Sequence, residues 1–361
     1  MLRFLIVFLF CGFQLLSQDA DTLLPTILGI ENDTERVNQL YTQGFDLVNK
    51  NPQLAYEYAQ HCEKAAKKSK SLKHISKSNN LSGILFYTHG HYKRAVVYFE
   101  EYLHANKALD NTLGIAFGYM NLGNAYMQLE QFEKVEYFYL KAINYYNILN
   151  DKEQVANGLT NLAVLKHLQK QPDAALENYQ TAFKIGRDIN DYNIKANCLN
   201  NMAQIFSDNG NYEKALAYNY DALELRELMD LDVDVADSYF SIAEIALKQK
   251  NTVLAEENLS FALKLCNKTG YIQGKINYYK LFSELQEQKN NFQSSIENFK
   301  LYKQLNDSIL LTEGDELKFD FTENAAPKYT HTKSAVKNAW LLSLLCLILI
   351  IIPFVLIRYK R

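Results

Sequence analysis

Three asparagines stand 40 residues apart, at Asn121, Asn161 and Asn201, with Asn124, Asn157, Asn197, Asn200 and Gln204 close by. A carboxamide carries both a donor and an acceptor, so a row of them can pair with the amide groups of an extended backbone whatever side chains that backbone bears. The chemistry on offer is recognition of a peptide. The competing reading is that Asn at these places caps or bridges neighbouring helices.

The other reactive residue types converge less. His89-Gly90-His91, with His104 further along, lies in a polar turn with no cysteine or carboxylate partner at metal-ligand spacing, whereas a metal needs three or four ligands together. Of five cysteines, Cys11 and Cys346 fall in strongly apolar segments, and Cys62, Cys198 and Cys266 are far apart without a CxxC, which reads as buried free thiol. Asn32-Asp-Thr34 and Asn306-Asp-Ser308 fit the glycosylation pattern and matter only in a glycosylating pathway. No Gly-rich phosphate loop, nucleophile elbow or His/Glu metal motif occurs, so no enzyme activity, metal or cofactor is expected. A net charge of -3 supplies no basic field for nucleic acid, and 48% hydrophobic residues supply ample core.

The elements that must position these residues follow from the same period. Small residues recur at Gly83, Gly123, Ala163, Ala203, Ala243 and Ser283, and again at Ala55, Ala95, Val135, Ala175, Ala215, Ala255 and Ser295. Repetition at a fixed 40-residue interval predicts a solenoid rather than several domains. Polar turns such as Asp208-Asn-Gly-Asn-Tyr212 divide each unit into two amphipathic helices, and seven such turns predict seven helix pairs in an all-α fold. Pro52 and Pro172 share a register, as suits the first turn of the second helix. Phe86, Tyr126 and Phe206 on first helices, with Phe99, Tyr139, Tyr179 and Phe299 on second helices, are expected core. Gln43 stands where the first unit should have a small residue.

Asn121-Leu-Gly-Asn-Ala-Tyr126 followed by Phe132-Glu-Lys-Val135, Tyr139 and Ala142, and Asn201-Met-Ala203 followed by Gly210-Asn-Tyr-Glu-Lys-Ala215 and Ala222, resemble the tetratricopeptide repeat in its 40-residue form. The resemblance covers about residues 34 to 312 and implies a right-handed superhelix whose first helices line an inner groove. On that basis Asn121, Asn124, Asn157, Asn161, Asn197, Asn200, Asn201 and Gln204 are expected to face a peptide or partner protein.

The ends read differently. Residues 1–18 have the plan of a signal peptide and 19–33 that of a linker. After the solenoid at 34–312, Gly314 and Pro327 interrupt the helical pattern and Leu317-Lys-Phe319-Asp-Phe321 alternates like a strand, giving an irregular tether at 313–338. Residues 339–357 are apolar enough for one transmembrane helix, followed by a basic tail at 358–361. The expected protein is single-pass in the inner membrane, with periplasmic repeats. Its layout is similar to the outer half of bacterial membrane sensors without their kinase or DNA-reading domain. The leading expectation is a protein-interaction scaffold; the alternative is the input half of a split two-component sensor, with a separate kinase or regulator as partner.

Overall fold

Turn geometry sets the architecture, and it beats at half the sequence period. The computed structural model describes residues 20–317, and side chains over 23–308. From position 70 to 290 a residue with left-handed φ recurs every 20 positions: Gly90, Gly210 and Gly270 at φ 74 to 76°, and nine others, from Lys70 to Asn290, at 51 to 61°. Around all of them but Lys70, the chain closes a Schellman-type end. At the first complete example the Gly90 N–H donates to the Tyr87 carbonyl (3.1 Å) and the His91 N–H to the Phe86 carbonyl (2.8 Å). The residue that finishes one helix then caps the next: the Asn111, Asp151, Asp191, Asn211 and Asn251 side chains accept the backbone N–H three residues on. With two to four non-helical residues between helices, each connection leaves the chain only one short way back.

Fifteen helices result, and no strand occurs among the described residues. A short α1 (Ala20–Leu28) precedes α2 (Asp33–Leu47), α3 (Pro52–Ser69), α4 (Leu72–Thr88), α5 (Tyr92–Ala108), α6 (Thr112–Gln128), α7 (Phe132–Ile148) and α8 (Lys152–Leu168). The stack continues through α9 (Pro172–Asp188), α10 (Tyr192–Asp208), α11 (Tyr212–Leu228), α12 (Asp232–Lys248), α13 (Thr252–Thr269), α14 (Ile272–Gln288) and α15 (Phe292–Leu317). The seven expected pairs are α2/α3 through α14/α15, each packed on itself and on the next. First helices of successive pairs also touch directly, as in α2 with α4, α10 with α12 and α12 with α14, so the first helices form the inner, shorter side of the stack.

The columns of small residues mark where the two helices of a pair meet. A methyl on Gly83 would lie 2.5 Å from the Phe99 ring, and one on Gly123 equally close to Tyr139. The first pair keeps this contact by another route than expected. Its N-caps, Asn32 and Asn51, are one residue closer together than later ones, so Gly44 rather than Gln43 falls twelve residues after the cap, against Leu81 and Tyr58.

A second packing device alternates along the stack. In pairs 2, 3 and 5 a ring of the first helix stacks on one of the second, Phe86 on Tyr98, Tyr126 on Phe138 and Phe206 on Tyr218, with centroids 5.3 Å apart. Arg94, Lys134 and Lys214 cover the first-helix rings. Pairs 4, 6 and 7 carry Asn178, Asn258 and Asn298 instead, each donating back to the carbonyl four residues earlier.

Several boundaries differ from the sequence reading. The 19–33 linker contains α1, whose Leu24 and Ile27 are buried in one cluster with Val37 and Leu40, so it closes the N-terminal end of the core. At the other end α15 runs through Gly314 to Leu317, past the expected limit at 312. Phe299, expected in the core, is half-exposed, because the described residues contain no eighth pair to cover it. The signal peptide at 1–18, the strand-like residues beyond 317 and the apolar segment at 339–357 lie outside the described residues.

The expected single-pass location in the inner membrane with periplasmic repeats is corrected. No helix among the described residues is long and apolar enough to cross a membrane. Even α15, the longest, carries Glu297, Lys300, Lys303 and Asp307. Such charges at mid-helix are costly in hydrocarbon.

Candidate functional site

Counting from the residue before each first helix, the candidate residues fall at three positions. Asn157 and Asn197 are sixth, Asn121, Asn161 and Asn201 tenth, and Asn124 and Gln204 thirteenth. Steps of four and three keep a helix face, so these seven share one stripe. Asn200 sits beside it at the ninth position. All eight are at least partly accessible, while the residues between them, such as Leu122, Gly123, Leu162 and Ala163, are buried.

Neighbouring first helices lie in register. Bonds between them join residues about one repeat apart: Lys77 Nζ to Asn38 Oδ1 (2.6 Å), Asn80 Nδ2 to the Tyr41 hydroxyl (2.9 Å) and Gln288 Nε2 to the Leu247 carbonyl (3.0 Å). The Asn121, Asn161 and Asn201 side chains therefore stand side by side on α6, α8 and α10. Helix axes pack at about 8–10 Å, so the three rungs span roughly 20 Å, the length of about six residues of extended chain.

Their hydrogen-bonding states differ. Asn121, Asn157 and Asn201 make no side-chain hydrogen bond among the described residues, which leaves donor and acceptor open. Asn161 has only a long contact from Nδ2 to the Met120 sulfur, 3.5 Å. Asn124 Oδ1 accepts from the Tyr139 hydroxyl (2.9 Å) and Asn197 Oδ1 from Arg226 (3.2 Å), each keeping its amide N–H groups. Gln204 Nε2 donates to Asp208 (2.8 Å), which also meets His167 and Lys248 at the rim. Asn200 Oδ1 is buried without a partner.

The sequence reading missed the continuation of the stripe. In pair 6 the same positions carry Asp237, Ser241 and Glu244, and a cavity of about 320 Å³ opens beside them, floored by Phe240 and Leu281. Burial pushes the Asp237 carboxyl above its ordinary range; the Tyr271 hydroxyl, 3.2 Å away, and Arg226 pull against it. Burial likewise raises Glu284. The 40-residue column was the available signal, but the change from Asn to Asp and Glu hid it. The stripe thus runs from uncharged amides in pairs 3–5 to mixed charge in pairs 6 and 7.

The remaining candidates are structural. His89 Nε2 contacts the Val48 carbonyl at 2.8 Å, the His91 ring packs edge-on to Phe86, and His104 is exposed. Cys62, Cys198 and Cys266 are buried free thiols whose pKa burial pushes up to about 12, 11 and 11.

The family model of the tetratricopeptide repeat matches residues 114–188 and 154–227, covering pairs 3 to 5. The helix pairs within residues 114–227 are tetratricopeptide repeats. Solved structures show the same fold at low identity. Apo RapI is 12% identical, with a TM-score of 0.59 over 76% of this chain and 98% of that one. A Rap protein complexed with Competence and Sporulation Factor is also 12% identical, with a TM-score of 0.54 over 82% and 89%. NprR in complex with its cognate peptide NprX is 18% identical, with a TM-score of 0.52 over 75% and 81%. No curated protein matches the sequence. None of these comparisons carries the resemblance to membrane sensors. Outside 114–227 the same helix-pair geometry continues.

Proposed function

We propose that this tetratricopeptide-repeat chain is a protein-interaction scaffold whose inner face holds an extended peptide segment of a partner. The observation that carries the reading is the row of side-by-side carboxamides Asn121, Asn161 and Asn201, accessible and unengaged by strong bonds of their own. An accessible amide with no protein partner exchanges water for the ligand at a net gain of about 0.5–1.5 kcal/mol per bond, so a row of three adds up. An extended backbone offers an N–H and a C=O per residue, and its repeat fits a rung every three residues or so. Two structural neighbours are described with a bound peptide or factor, which supports the reading by likeness of fold alone.

The test is capture of a peptide selected on the full chain, repeated with Asn121, Asn161 and Asn201 all changed to Ala. Loss of binding with unchanged helical content by circular dichroism is the expected outcome. Unchanged affinity would reject the carboxamide row as the binding element.

A further inference from the structure

We infer that Arg226 is a positioning residue of the groove, one that locks the Asn197 amide with its N–H groups toward the ligand. This rests on the peptide-groove reading above. Arg226 lies on α11, a second helix, yet it reaches through to the inner layer and is 7% exposed. Its Nη1 donates to Ser238 Oγ (2.7 Å) and to the Asp234 carbonyl (3.3 Å), both on α12, and its Nη2 donates to Asn197 Oδ1 (3.2 Å) on α10. It forms no ion pair within 4 Å among the described residues.

The polarity of that last bond is forced. A guanidinium has donors and no acceptor, so the Asn197 atom facing it has to be the oxygen; the flipped amide would set N–H against N–H. A buried charge left short of acceptors is costly, which holds the oxygen in place. Asn197 is itself exposed, and its Nδ2 makes no bond to the protein among the described residues. One amide of the stripe is therefore a donor of fixed direction, suited to a carbonyl oxygen of the ligand backbone.

The corresponding residue one repeat earlier is Gly186, which cannot do the same for Asn157. Ala66, Asn106, Tyr146, Cys266 and Asn306 stand at this place in the other pairs, none of them a cation. Asn157 is thus free to turn either way, and Asn197 is not. Pre-setting one rung lowers the ordering cost of binding and fixes the register of the ligand in repeat 5.

The test is a double-mutant cycle on the full chain, with the most enriched peptide from a random nonapeptide phage library as probe. Asn197→Ala should weaken binding severalfold, the range of one lost neutral hydrogen bond, and Arg226→Met should weaken it measurably but by no more than that. The double variant should bind no more weakly than Asn197→Ala alone, because Arg226 acts only through Asn197. Arg226→Lys, which keeps a donor cation, should stay within about threefold of the parent. If Arg226→Met fails to fold, Arg226→Gln answers the same question: its carboxamide can present either an N–H or a C=O to Asn197 and so fixes no direction, and binding should fall as expected for Arg226→Met. Independent, multiplying losses, or an unchanged affinity in Arg226→Met with a weakened Asn197→Ala, overturn the positioning role and leave the groove standing. No enriched peptide, or no effect of the Asn121, Asn161 and Asn201 triple variant, overturns the groove and the positioning with it.

Discussion

Gly123 and Tyr139 are fitted face to face: a Cβ on the glycine would sit 2.5 Å from ring carbons Cδ1 and Cε1. Two effects compete in Gly123→Ala. Helix propensity favours Ala by about 1 kcal/mol, whereas forcing a methyl into a packed contact costs about 1–3 kcal/mol. The contact should win, because the obstacle is a buried ring, 2% exposed, rather than a flexible tip. Urea unfolding should show net destabilisation; a gain of about 1 kcal/mol would mean that the ring gives way freely.

Lys170 holds a left-handed backbone at φ 61° with an exposed side chain. That conformation costs a non-glycine residue about 1 kcal/mol, and the equivalent sites at Gly90 and Gly210 avoid it. Lys170→Gly should therefore stabilise the chain by somewhat under 1 kcal/mol, after glycine's own entropy. A rise in the thermal midpoint checks it, and a fall would show that the lysine contributes something the turn geometry does not reveal.

Asn219 occupies the second-helix position filled by Phe99, Tyr139, Tyr179 and Leu259 in other pairs. It is 2% exposed, and its Oδ1 has no hydrogen-bond partner. Asn219→Leu, copying Leu259, should stabilise by about 1–2 kcal/mol, since an unsatisfied buried acceptor costs that much. Denaturant titration decides it. Destabilisation would imply that this amide is satisfied in solution.

Asp237 has a folded pKa raised above the ordinary value, chiefly by burial. For a carboxyl shifted upward, the stability tied to the group is fully present below the unfolded pKa of about 3.9 and is lost as pH rises through the folded value. Asp237→Asn should therefore be more stable than the parent at pH 7, with the two converging as pH falls toward 4. A difference that grows toward low pH would reverse the assignment and make the Tyr271 and Arg226 contacts dominant.

The legibility of this chain in sequence follows from which residues face constraint. The 40-residue columns at Gly83, Gly123 and Ala163 are readable because a close helix contact admits only small side chains. The 20-residue turn rhythm is not, since nine of its twelve left-handed positions hold Lys, Asp, Glu or Asn rather than Gly. α1 escaped notice because Pro25 lies inside it, and its only strong signal is the pair Leu24 and Ile27. Gly44 was hidden because the first two caps stand one residue closer together than later ones, which breaks the column but not the contact. The carboxamides share a stripe that their spacing implied. Arg226 could not be read, because it comes from a different helix, 29 positions after the residue it holds.

The most direct measurement is the side-chain amide spectrum of the full chain labelled with ¹⁵N at asparagine, recorded with and without the selected nonapeptide. The signals of Asn121, Asn157, Asn161, Asn197 and Asn201 should shift on binding, while those of Asn178 and Asn258, tied to their own helices, should stay fixed. Shifts confined to asparagines outside the inner stripe, with the five unmoved at saturating peptide, would contradict the groove.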